Sequence, residues 1–216
     1  MRKKYKAPPF NYCDYRCDRC DERENCRVYK DNEERILNHY ANGEDPYAPE
    51  VFLKDLKEIF ANTQNMIRDM AQKQGINIEE LPDEETPEVN PDDYVIYRLA
   101  YEYYKQANIF IKELERTGIP ETIQEDFRDL VWYHTLIAAK TGRLVSGFID
   151  DYDEEFQKQE EEGTLAVINK GIDLSKNALE NMLNELPDHL YTIADLMELL
   201  KRLEKQIQID IRQKVE

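Results

Sequence analysis

The chain has 216 residues, of which 41% are hydrophobic, 35% are charged and seven are glycine. That length can bury a sizeable core, and so few glycines argue against phosphate-cradling loops and glycine-punctuated β architectures. A net charge of −17 disfavours broad nucleic-acid or anionic-membrane binding, and no apolar run is long enough to span a bilayer.

In chain order, the first feature is the segment MRKKYKAPPFNYC, basic but followed by no apolar stretch, so it does not read as a secretory leader and a cytoplasmic protein is expected. Residues 1–30 carry nine Lys/Arg against five Asp/Glu, and the remaining 186 carry 20 against 41. A basic head therefore precedes an acidic body. Within that head, CDYRCDRCDERENC holds all four cysteines of the chain, Cys13, Cys17, Cys20 and Cys26, spaced C-x3-C-x2-C-x5-C. Thiols this close converge on one centre at little loop-closure cost, whereas disulfides between such near neighbours would tie very small loops in a chain that does not need them. Structural zinc and an iron–sulfur cubane both take four thiolates. Zinc sites often pair two C-x2-C knuckles and only one such pair occurs here, so a [4Fe-4S] cluster is preferred to one Zn. Arg16, Arg19, Arg23 and Arg27 would offset the thiolate charge.

Beyond residue 30 the pattern is helical. A short helix is expected over about 31–42, stopping at Gly43. A second opens at Pro49 and carries Phe52, Leu56, Ile59, Phe60, Met66, Ile67 and Met70 at three- and four-residue steps before Gly75. Residues 77–91, with three prolines and five glutamates, read as a solvated connector. A third helix over about 92–117 places Tyr94, Tyr97, Tyr101 and Tyr104 on one face, which reads as core with hydroxyls at its rim. Gly118 and Pro120 separate it from a fourth helix over about 121–149, where Gly142 and Gly147 mark close packing or a bend. The acidic stretch from Asp150 lacks the ordered spacing and glycine of a calcium loop and reads as a solvated face. A fifth helix is expected over about 164–186, and Thr192 with Asp195 resembles a capping pair for a sixth.

The histidines are His39, His134 and His189. None belongs to an HExxH or Glu-x-x-His pattern, so zincin and ferritin-like sites lack their ligands. His39 and His189 fall near helix ends in polar surroundings, where a solvated role is expected. His134 shares an apolar face with Phe127, Leu130, Val131 and Ile137 and reads first as a core histidine. Lys140 and Arg143 are expected to pair with acidic residues of other helices.

Three short resemblances accompany these patterns. CDRCDERENC, a C-x2-C-x5-C, resembles the closing segment of the iron staple in RecB-like nucleases and is similar to part of the auxiliary-cluster motif of radical-SAM maturases. The nuclease carboxylate–lysine core is not visible, so what the resemblance implies is a cluster and no nuclease. Cys13, Cys17 and Cys20 match the CxxxCxxC of radical-SAM enzymes, but Arg19 stands where those have an aromatic residue, and the chain offers no strands for their barrel. Arg128, Asp129 and His134, an RD-x4-H, are similar to the motif of HEPN-class ribonucleases, which are small helical bundles. That resemblance implies His134 as general acid or base, Arg128 stabilising phosphate charge and Asp129 filling the polar position after it.

The fold expected is all-α: a cysteine-rich metal- or cluster-binding segment, 1–30, attached to a bundle of about five to six helices, 31–216. The function expected is non-catalytic, with the cysteines as cofactor and metal ligands in a structural, sensing or partner-binding protein. The alternative is the HEPN-like ribonuclease. A protein partner or a second copy is expected on the helical bundle, with neither membrane nor nucleic acid.

Overall fold

The computed structural model describes residues 9–80, 90–148 and 154–215, and they form six α-helices joined by short 3-10 turns, with no strand among the described residues. The helices are α1 (Arg27–Ala41), α2 (Pro49–Lys73), α3 (Val95–Thr117), α4 (Gln124–Ser146), α5 (Glu154–Glu185) and α6 (Leu190–Val215). No helix among these residues is long and apolar enough to cross a membrane. Of the 77–91 connector, 81–89 lie outside the described residues, as do Asp150, Asp151 and Asp153 of the acidic run.

Contacts divide the chain into two units, with boundaries other than the one read at residue 30. One takes in Met1–Arg16 and Glu88–Glu216, the other Cys17–Pro87. In the first, α3 packs on α4 and α6, and α5 packs on α4 and α6, which closes a four-helix bundle. The short connections after α3 and α5 make sequential helices antiparallel neighbours. Gly118 ends α3 with a φ of +97°, a backbone conformation glycine adopts without penalty, and Pro120 prevents the helix from resuming. The core is continuous through this unit: Ile96, Tyr103 and Phe110 of α3, Leu130 and Ile137 of α4, Ile168 and Leu179 of α5, and Leu196, Leu200 and Leu203 of α6 are all buried.

The second unit is α1 and α2 with the turns around them. None of its residues belongs to that core. Among its described residues only Cys26, Pro46 and Val51 bury apolar side chains, while the expected stripe from Phe52 to Met70 is exposed apart from the half-buried Leu56. The expected helix thus forms, with Pro49 at its first position, but the described residues of the unit give its apolar face no core to pack against.

Three boundaries depart from the sequence reading. Helix α1 starts at Arg27, with Cys26 as the residue before it, four positions ahead of the expected start. Helix α5 starts at Glu154 rather than 164, so the described part of the acidic stretch is helical. Helix α6 continues from a 3-10 turn, Pro187–His189, so Thr192 and Asp195 lie inside it and cap nothing.

Candidate functional site

The cysteine segment begins where the N-terminal strap meets the bundle. Residues Pro9–Tyr12 form a 3-10 turn that lies along α5. There Gly163 is required. A Cβ at that position would stand 2.6 Å from the backbone oxygen of Asn11, closer than atoms approach, and the obstacle is backbone that cannot rotate aside.

Asp14 is the anchor. The residue is 5% exposed, and its carboxylate accepts a hydrogen bond from the Tyr133 hydroxyl at 2.6 Å and pairs with the Lys170 ammonium at 2.7 Å. Its backbone carbonyl accepts from the Trp132 indole N–H at 2.8 Å. Burial works against the ionised carboxylate, but the bonds from Lys170 and Tyr133 outweigh it and hold Asp14 below the ordinary carboxylate range. Burial, and then the bonded Asp14, push the Tyr133 hydroxyl above the ordinary phenol range. Two residues on, Arg16 pairs with Asp129 at 3.0 Å, with both side chains largely buried, and lies over the Trp132 ring at 5.8 Å.

Between these anchors Cys13 accepts a hydrogen bond on its sulfur from the backbone N–H of Tyr15 at 3.2 Å. The Lys140 ammonium lies over the Tyr15 ring at 5.5 Å. Burial, and then Arg143, lower the proton affinity of Lys140, and Cys13 and Glu160 work the other way. Tyr15 has a φ of +62°, rare for a side chain of its size, at the point where the chain leaves the bundle unit.

Cys17, Cys20 and Cys26 belong to the second unit. Cys17 opens a 3-10 turn, Cys20 donates its N–H to the Cys17 carbonyl at 3.4 Å, and Cys26 is buried at the start of α1. All four cysteines are thiols. Among the described residues, no set of three or more Cys, His, Asp or Glu side chains is gathered closely enough to hold a metal ion. The arginines of the segment have carboxylate neighbours: Asp18 at 3.8 Å from Arg19, Glu24 at 3.5 Å from Arg23 and Asp31 at 3.3 Å from Arg27.

The ribonuclease-like trio does not come together in one chain. Arg128 is exposed and pairs with Glu125 on its own helix, Asp129 holds Arg16, and His134 is buried. A six-residue step turns about 240° around a helix and accounts for this separation. His134 Nδ1 lies 2.8 Å from the Val131 carbonyl, which fixes the proton on that nitrogen, and Nε2 lies 3.3 Å from the Thr135 hydroxyl. Burial lowers its proton affinity below the ordinary histidine range, against the bonds to the Val131 and Leu130 carbonyls. Its ring stacks on Tyr104 at 5.5 Å, which stacks on Tyr101 at 5.8 Å, which stacks on Tyr97 at 5.9 Å. The expected tyrosine face is thus a stacked column that ends on His134, with Tyr94 set apart against Phe148.

Of the two histidines expected in solvent, His189 is half-buried and His39 is buried. His189 packs edge-on to Phe110 at 5.4 Å. His39 is buried between two carboxylates, with Nδ1 at 2.6 Å from Glu44 and Nε2 at 3.0 Å from Asp55. Arg35 also pairs with Asp55, and Lys54 reaches Glu44 at 3.4 Å. The bond to Glu44 is the main reason that His39 holds its proton above the ordinary histidine range; burial opposes it and Asp55 assists. Glu44 is held below the usual range, first by His39 and then by Lys54. The i,i+4 spacing of Arg35 and His39 marks a shared face of α1, but nothing in the sequence brings Glu44 and Asp55 to it.

Comparison with protein-family models, with curated proteins and with solved structures finds no match to this chain.

Proposed function

We propose that this protein binds one metal centre through Cys13, Cys17, Cys20 and Cys26, a [4Fe-4S] cluster in preference to one zinc ion, and that it acts without catalysis, as a structural, sensing or partner-binding protein. The observation that carries the reading is the confinement of every thiol to 14 residues. Support comes from Cys13, whose sulfur already accepts a backbone N–H and which lies on a strap anchored by Asp14 and Arg16. Thiolate ligands of metals take such N–H donors, which orient the sulfur and temper its charge. The intervening loops of three, two and five residues let a metal draw the other three thiols in at small entropic cost, and that gathering would couple metal binding to folding of the segment.

The test is an absorption spectrum and metal analysis of protein purified without oxygen, beside Cys17→Ser. A broad band near about 400 nm with about four iron per chain, lost in the variant, is the result expected for the cluster. A colourless protein with one zinc per chain, also lost in the variant, would replace the cluster with a structural ion. Metal-free protein from iron- and zinc-replete cultures would overturn the proposal.

A further inference from the structure

The apolar stripe of α2 has a stricter order than amphipathicity requires. Phe52, Leu56, Ile59, Thr63, Met66 and Met70 follow one another at steps of four, three, four, three and four residues, the seven-residue repeat of a helix that packs along a second helix. Leu53, Phe60 and Ile67 widen the seam on one side at the same seven-residue interval. Except for the half-buried Leu56 and the polar Thr63, every one of these side chains is 51–62% exposed. Among the described residues of the surrounding unit, no core covers them. Half-exposed side chains of this size leave roughly 100 Å² each, so the seven apolar ones present about 700 Å² along about 27 Å of helix. The largest apolar patch on a typical monomer is about 300–600 Å². An ordinary stable interface takes about 800 Å² from each partner.

We propose that the α2 face is a dimerisation surface and that its occupant is α2 of a second copy of this chain, running antiparallel. The repeat is self-complementary in that direction. Phe52 falls opposite Met70 of the second copy, Leu56 opposite its Met66, and Ile59 opposite its Thr63, so every layer sets a bulky side chain against a slimmer or more pliable one. Parallel pairing would stack Phe52 on itself and Thr63 on itself, uneven layers around a polar centre. Antiparallel helices also oppose their dipoles. The inference stands independently of the metal reading: it uses no cysteine, and its test needs no metal.

The experiment is light scattering coupled to size exclusion, with sedimentation equilibrium, on the full chain over about 1–100 µM, which brackets micromolar dissociation constants. Wild type should be a dimer that dissociates on dilution. Phe60→Glu and, separately, Met66→Glu should be monomers at every concentration, with helix content unchanged by circular dichroism because neither side chain contributes to a core. Ala61→Glu, exposed on the opposite side of α2, should remain dimeric. A photo-crosslinking residue at position 52 should capture a peptide containing Met70. Wild type that is monomeric throughout, or a dimer that survives both stripe variants, overturns the proposal. Capture of position 52 by position 52 overturns the antiparallel arrangement.

Discussion

Asp14 holds the strap by a short bond from Tyr133 and an ion pair with Lys170 whose ammonium is half in water. Asp14→Ala removes a charge-assisted bond and strands the Tyr133 hydroxyl, a loss of about 2 kcal/mol from strap docking rather than from the bundle. Because the folded carboxyl titrates below its ordinary range, its contribution is complete above that range and disappears as pH falls through the lowered value. Faster proteolysis of residues 9–16 in acid, and in the variant at neutral pH, is the expected reading; equal cleavage rates would rule the anchor out. At Gly163 two effects compete. Alanine there gains about 1 kcal/mol of helix propensity in α5 but meets the Asn11 carbonyl, an overpacking cost of about 1–3 kcal/mol. Gly163→Ala should therefore release the strap while the melting temperature of the bundle stays level or rises. His39 follows the opposite sign. Its folded proton affinity is raised, so the clamp between α1 and α2 is complete below the ordinary histidine range and is lost as pH rises through the higher folded value. An imidazole titration by NMR should place its midpoint above that of a free histidine, and a midpoint at or below it would refute the clamp. The strap contacts could not be read in advance, because they depend on remote partners: Tyr133 is 119 positions from Asp14.

Helices with their own punctuation were legible. Pro49 opens α2 and Gly118 closes α3 where expected, since each residue restricts or frees the backbone locally. The start of α5 was not legible: the acidic stretch read as a solvated face, whereas the helix runs from Glu154 through Gly163, where the Asn11 backbone packs against the space that glycine leaves. The tyrosine face of α3 was visible as a face, but its stacked order and its end on His134 depend on the packing of α4. Inside the bundle, the hydroxyls of Tyr103 and Ser175 are fully buried without a hydrogen-bond partner in good geometry, although burial raises the Tyr103 phenol and Ser175 is the one group that works against that rise. An unsatisfied buried hydroxyl is a liability. Tyr103→Phe combined with Ser175→Ala should leave stability unchanged or raise it by about 1 kcal/mol in a denaturant melt, and a loss above about 2 kcal/mol would show that the pair is bonded in solution.

Across the molecule, stability is unevenly allotted. The all-α character and the absence of a membrane-spanning helix were evident from composition and periodicity, but the division into a bundle with a core and a second unit without one was not, because periodicity records that a helix has an apolar face and not what covers it. Hydrogen exchange at concentrations where the chain is monomeric should show α3–α6 amides protected by most of the unfolding free energy, of order 5–15 kcal/mol. Those of α2 should open with far less, and equal protection in the two units would contradict the assignment of the core. The strap of the first unit has a built-in indicator. Trp132 is the single tryptophan of the chain, and its indole N–H is bonded to the Asp14 carbonyl while the Arg16 guanidinium covers its ring. Release of residues 9–16 breaks that bond and removes the cation above a ring that is already 40% exposed, so the emission of one native fluorophore reports whether the first cysteine is held in place, with no label and no mutation.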